Sequence, residues 1–226
     1  MEINTTQVSP NYTSELKSES STKVNDVFEN MINEDGHLAM DLEESELRDL
    51  SYEEAKELKL KLEENGYFDA IHNDTSGLMT IGNSLLKVTD LTNDDDFNKA
   101  LFETMQTKEH PGLYFDEIKH NIDYSLGNRQ FPWPTISVDE AQGDYLPLTG
   151  DEYKNLDVQK FLSTIIQTYQ EMLLKLPGYL DREETEETLN NYKELQKSYQ
   201  EKKDEKNALL ENLTKNNKEN PLLNIE

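Results

Sequence analysis

The residues whose spacing is most specific for chemistry in this sequence are Glu117 and His120, which form an E-x-x-H pair. On a helix this spacing places a carboxylate and an imidazole on one face, and di-iron carboxylate bundles combine two such pairs with two further carboxylates. Two other histidines, His37 and His72, lie in predicted loops and offer no second helical pair. We therefore interpret His120 as a surface or hydrogen-bonded core histidine and predict no metal site.

The turn at residues 33–36 has part of the composition of a calcium-binding loop. Asn33, Asp35 and Gly36 would occupy the third, fifth and sixth positions of an EF-hand loop. In that register the first and twelfth positions fall on Met31 and Leu42, which have no carboxylate to donate. The pattern therefore disfavours calcium at this turn.

Three consecutive aspartates at residues 94–96 allow two interpretations. Carboxylates are favoured in the first turn of a helix, where they accept hydrogen bonds from free N–H groups and face the positive end of the dipole. A metal site is the alternative, but three consecutive carboxylates converge on one ion only in a loop. We predict that they begin a helix, which Phe97, Leu101 and Met105 continue on its inward face.

Sequence signatures of catalysis are absent. The chain has no glycine-rich phosphate loop, no G-x-S-x-G, no H-E-x-x-H and no cysteine. Paired carboxylates are common, but acid–base catalysis needs a desolvated carboxylate, and burial is not visible in a sequence. We predict a non-enzymatic protein without a cofactor.

The charge balance limits the classes of partner. The chain has 47 acids, 22 bases and a net charge of −25, which repels nucleic-acid phosphates and anionic lipid. It also lacks cysteine for disulfides, a basic and apolar signal peptide, and an apolar run of the roughly 20 residues that span a bilayer. We expect a cytoplasmic protein that binds protein partners but neither nucleic acid nor membrane directly.

The strongest helical pattern covers residues 157–176, and a second one covers residues 181–214 after Pro177 and Gly178. Together they predict a helical hairpin over residues 151–215, which would also offer a surface for an oligomer. In a heptad register Tyr192 and Tyr199 lie at the seam of the second helix, but the middle of that seam is polar. We expect its first half to pair with the first helix and its second half to project or fray. The apolar stripe of the first helix is formed by Val158, Phe161, Leu162, Ile165, Ile166, Tyr169, Met172, Leu173 and Leu176.

The preceding residues 24–126 predict an acidic helical domain. A short helix is expected from Val24 to Ile32, and Ser51 with Glu54 forms a capping box for a helix that Gly66 ends. Residues 78–89 fit either a helix or a strand.

Residues 127–150 change to a linker rich in proline and aromatic residues. Rigid aromatic side chains dominate interface energetics, so Phe131 and Trp133, together with Tyr192 and Tyr199, are the candidate partner-binding residues. The alternative for Trp133 is packing against the helical core, which would pin the linker.

The first 23 residues are rich in serine, threonine and asparagine and are predicted to be disordered, as is the tail of residues 216–226. The composition of residues 1–23 resembles the uncleaved export signals of flagellar and other type III secretion substrates, which implies a bacterial protein exported without a cleaved signal peptide. An ordinary frayed terminus is the alternative.

These patterns predict an all-α, mainly helical chain, in which an irregular helical domain precedes a long C-terminal helical hairpin. The expected function is that of a helical interaction protein, either an adaptor or a scaffold. The alternative is an acidic inhibitor that mimics a nucleic-acid phosphate surface and binds a basic partner. Its best segment is Glu34 to Asp74, which contains 14 acids and 4 bases.

Overall fold

The computed structural model describes residues 22–31, 47–66, 81–127, 151–175 and 181–219. Of these residues 85% are helical and none lies in a strand, which confirms the all-α prediction. The described residues form eight helices: α1 (22–31), α2 (Tyr52–Glu64), α3 (Ile81–Val88), α4 (Asp95–Thr107), α5 (Pro111–Ser125), α6 (Asp151–Lys154), α7 (Val158–Lys175) and α8 (Arg182–Glu219).

The chain divides into two compact units, Met1–Leu86 and Lys87–Glu226. The division falls inside the acidic helical domain that the sequence predicts for residues 24–126. Helices α4 and α5 therefore belong to the same unit as the C-terminal hairpin.

In the first unit, α2 begins with the predicted capping box. The Ser51 hydroxyl accepts a hydrogen bond from the Glu54 amide at 3.3 Å, and the Glu54 carboxylate accepts one from the Ser51 amide at 2.7 Å. Gly66 follows the end of the helix with a φ of +74°, a left-handed conformation that glycine adopts without strain. The buried face of α2 consists of Tyr52, Ala55, Leu58, Lys59 and Leu62.

Helix α3 resolves the alternative that the sequence left open for residues 78–89. Ser84, Leu85, Leu86 and Val88 are all buried. The ambiguity came from residue types, because Gly82 and the β-branched Val88 are less favourable in a helix than in other conformations.

The second unit is built around α8, which packs against both α4 and α7. The predicted apolar stripe of α7 is buried from Val158 to Tyr169, and Met172 and Leu173 are half-buried towards its end. Pro111 occupies the first turn of α5, where its missing N–H removes no helical hydrogen bond. The core of this unit also includes Phe97, Leu101, Phe102, Met105, Phe115, Ile118 and Ile122.

Several sequence predictions lie outside the described residues. They are the N-terminal segment up to residue 21, the turn at 33–36, the linker at 128–150, the hairpin turn at 176–180 and the final residues 220–226.

Candidate interaction surface on the C-terminal helix

The first part of α8 is held by its apolar face. Leu189, Tyr192, Leu195 and Tyr199 are at most 5% exposed. The Tyr192 ring stacks on Tyr169 of α7 with ring centroids 5.7 Å apart, and Tyr199 meets Phe97 of α4 edge to face at 6.0 Å. Aromatic pairs at these distances add to the stabilisation that burial provides. This face therefore joins α8 to α7 and α4.

Polar contacts continue the attachment of α8 along α4. The Tyr199 hydroxyl donates to the Asp94 carboxylate at 2.5 Å, and Lys206 pairs with Asp96 at 3.1 Å. Near the other end of α4, Lys108 pairs with Glu194 at 3.1 Å. From the ion pair Lys108–Glu194 through Glu103–Lys202 to Asp96–Lys206, the residue numbers fall along α4 as they rise along α8, so the two helices are antiparallel. Residues of α8 beyond Lys206 therefore run past the start of α4.

The segment that runs past α4 carries three exposed leucines. Leu209, Leu210 and Leu213 are 65%, 54% and 53% exposed, and we call them the leucine surface. At about 100° per residue they lie within one arc of about 100° on the helix. Every residue from 204 to 215 is exposed. The leucine surface thus has no covering helix within the part of the chain that the structure describes.

The leucine surface continues the buried seam of α8. Leu195, Tyr199, Lys202, Lys206, Leu209 and Leu213 follow one another at three- and four-residue steps, which keeps them on one stripe of the helix. Upstream this stripe contacts α4, and downstream it is exposed. A surface that has the residue pattern of a helix seam, but no partner helix among the described residues, suits the binding of another helix.

The charge of this segment differs from that of the rest of the chain. Residues 203–215 contain three acids and three bases, a net charge of zero, whereas the whole chain carries −25. The leucine surface therefore lies in a neutral segment of a strongly acidic protein.

A buried polar cluster forms the second unusual feature of this unit. Its members come from α5, α7 and α8 and are Tyr114, Glu117, Asn121, Tyr169 and Tyr192. The hydroxyls of Tyr114 and Tyr169 and one carboxylate oxygen of Glu117 are buried without a hydrogen-bond partner among the described residues. Burial raises the pKa of Glu117 to about 7, and the nearby charges of Glu187 and Glu184 raise it further while Lys108 opposes them. Glu117 can therefore hold or release a proton near neutral pH.

The tyrosines of this cluster remain protonated. Burial raises the pKa of Tyr114, Tyr169 and Tyr192 well above the usual value, and the neighbouring Glu117 carboxylate raises each of them further. A phenol with a raised pKa is a poor acid and keeps its proton at neutral pH.

The structure places the residues that the sequence singled out as follows. Tyr192 and Tyr199 contact the chain's own helices and are 0% and 5% exposed, so a partner could reach them only if α8 left its neighbours. Their predicted role in partner binding stays a prediction. Phe131 and Trp133 lie outside the described residues. Glu117 points into the buried cluster, and within the described ranges no group of three or more His, Cys, Asp or Glu residues could hold a metal ion.

The three aspartates at residues 94–96 begin α4, as predicted. Asp94 is the N-cap: one carboxylate oxygen accepts from the Phe97 amide at 3.2 Å, and the other accepts from Tyr199. Both oxygens of the Asp94 carboxylate accept hydrogen bonds from the chain itself, so this side chain stabilises the fold.

Sequence reasoning missed the buried cluster and the leucine surface. Tyr114, Glu117 and Asn121 recur at helical steps on the face of α5 that also carries Ile118, and this pattern could have indicated that Glu117 points inwards. For the leucine surface the signal was the heptad register of α8. In that register Leu210 and Leu213 follow polar seam positions, which could have indicated an apolar surface near the end of the helix.

No protein-family model matches the sequence, and neither a curated protein nor a solved structure shows significant similarity to it. Separately, none of the helices in the described ranges has both the length and the apolar character needed to cross a membrane.

Proposed function

We propose that this protein is a non-enzymatic helical interaction protein, an adaptor or scaffold, that binds a protein partner through the leucine surface of α8. The observation that carries the proposal is the exposure of Leu209, Leu210 and Leu213 within one arc of about 100° on a helix whose preceding turns have a buried face. Single exposed leucines are ordinary, but three on one projecting helix face form a patch that protein contact would remove from water.

Among the described residues of the second unit, the other exposed leucines do not form such a patch. Leu113 of α5 and Leu174 of α7 are 69% and 86% exposed, and each lies on a different helix. They provide matched controls, because they are as exposed as the leucine surface and lack its clustering.

Site-specific photo-crosslinking in the native host tests the proposal. A benzophenone amino acid placed at Leu213 should give discrete protein adducts after irradiation, whereas the same group at Leu174 should give none. Adducts at Leu213 that disappear when Leu209 and Leu210 are both changed to Gln would assign the contact to the leucine surface. Equal labelling at positions 213 and 174, or no adduct at 213, would contradict the proposal.

The ionic strength dependence of binding separates this function from the acidic-mimic alternative. Contact through leucines buries apolar surface and should not weaken as salt is added, because ion screening acts on charges. A phosphate mimic bound to a basic partner should weaken steeply as salt is added. The neutral charge of residues 203–215 favours the first outcome.

A further inference from the structure

We infer that the partner of the leucine surface is the same surface on a second copy of this chain, in an antiparallel helix pair with two-fold symmetry. This inference rests on the proposed function and specifies its partner. A two-fold contact uses the same patch on both copies, so the patch must be complementary to itself.

The neutral charge of the projecting segment meets the first requirement for self-association. Two chains of net charge −25 repel each other wherever their acidic surfaces approach. Residues 203–215 carry no net charge, so two of these segments approach without that cost. A basic partner, by contrast, would be drawn to the acidic surfaces rather than to this segment.

The positions of the charges favour the antiparallel orientation. Lys203 and Lys206 are already engaged within the chain, Lys203 over the Tyr199 ring at 5.2 Å and Lys206 with Asp96 at 3.1 Å. This leaves two acids at the start of the segment: Asp204, which accepts a hydrogen bond from Gln200 at 2.8 Å, and Glu205, which lies 3.9 Å from Lys202. Near its end Glu211 and Lys215 balance each other. Parallel pairing places the two acidic starts together, whereas antiparallel pairing brings each acidic start towards the neutral end of the other segment, which carries Lys215.

The antiparallel orientation also separates the acidic parts of the two chains. In the parallel orientation the second units of the two copies would lie at the same end of the helix pair. In the antiparallel one they lie at opposite ends, which reduces their repulsion. The register that places Leu210 level with Leu213 of the second copy allows the leucines to form adjacent core layers.

Association of the full chain is measured first, by sedimentation equilibrium over a wide range of concentrations. The apparent mass should rise with concentration from that of one chain, 26.2 kDa, to that of two. Added salt should strengthen the pairing, because it screens repulsion between acidic surfaces without weakening apolar contact. The double variant Leu210→Gln/Leu213→Gln should weaken association by at least about tenfold. The double variant Leu113→Gln/Leu174→Gln should associate like the parent.

Orientation is measured with single-cysteine variants, since the chain has no cysteine of its own. In the proposed register a cysteine at position 210 lies about 5 Å along the axis from its copy, whereas one at position 203 lies about 26 Å away. A short bis-maleimide should therefore link two copies of Leu210→Cys and leave Lys203→Cys unlinked. Parallel pairing would link both variants.

The results that overturn the inference differ from those that overturn the proposed function. A chain that stays monomeric at every concentration and salt level, a dimer that the Gln variants do not weaken, or equal linking at positions 203 and 210 would each refute antiparallel self-pairing. If the chain is monomeric but position 213 still crosslinks to a different protein, the second copy is excluded as partner and the proposed function stands.

Discussion

The side-chain amide of Asn121 donates a hydrogen bond to the Tyr192 hydroxyl across 2.7 Å, and the two residues are 2% and 0% exposed. The same amide donates to the Glu117 carbonyl of its own helix at 3.1 Å. This contact links α5 to α8 in the interior of the second unit. Because a buried polar group without a partner is costly, the pair fixes how these two helices meet.

The first prediction concerns this hydrogen bond. Tyr192→Phe keeps the stacked ring but leaves the Asn121 amide with only its backbone acceptor, so the free energy of unfolding should fall by about 1–2 kcal/mol. Urea unfolding measures this change. A double-mutant cycle with Asn121→Ala should show that the two substitutions are not additive. Additive losses would mean that the hydrogen bond contributes nothing to stability.

The second prediction concerns Glu117 and pH. Its pKa is about 7 in the folded protein and 4.5 as an ordinary glutamate, so the folded state binds the extra proton between these values. This contribution to stability is complete below pH 4.5 and is lost as the pH rises through 7. Glu117→Gln should therefore exceed the parent in the free energy of unfolding by about 1–3 kcal/mol at pH 8, with a smaller difference at pH 5.

Thermal unfolding of parent and variant at several pH values measures this difference. Glu211→Gln removes one charge from an exposed position of α8 and serves as the control for the loss of a surface charge. If Glu117→Gln behaved like Glu211→Gln, the Glu117 carboxyl would not be the titrating group.

Local signals made most of the helices predictable. The Ser51 and Glu54 capping box and the Asp94 cap place donors and acceptors within three residues of each other, so the sequence contains the whole interaction. The stripe of α7 was equally clear, because one buried face needs a run of apolar residues at helical spacing.

Contacts between distant helices could not be derived in this way. The sequence placed Tyr192 and Tyr199 at a seam, but only the fold shows that α7 and α4 cover them. In the sequence Glu117 is not distinguishable from the many other acids. The tyrosines that bury it lie up to 75 positions away along the chain. The polar middle of the α8 seam predicted that only the first half of this helix pairs with another helix, yet the seam residue Lys206 binds Asp96 of α4 at 3.1 Å.

The third prediction concerns Asp94, which caps α4 and accepts the Tyr199 hydroxyl. Asp94→Ala removes both interactions and should lower the free energy of unfolding by about 2–3 kcal/mol. Tyr199→Phe removes only the contact between the helices and should cost about 1 kcal/mol. Chemical unfolding measures both losses in the free energy of unfolding. The difference between them is the contribution of the Asp94 N-cap. Equal losses would show that the cap contributes nothing.

The last prediction tests whether the stripe of α7 is core. Ile165 and Leu174 lie on the same helix, but they are 9% and 86% exposed. Ile165→Asp forces a carboxylate into the buried face against α8 and should lower the free energy of unfolding by about 3–5 kcal/mol. Leu174→Asp makes the same chemical change in water and should stay within about 0.5 kcal/mol of the parent. Circular dichroism melts of both variants decide the matter, since similar melting temperatures would mean that α7 does not pack through this stripe.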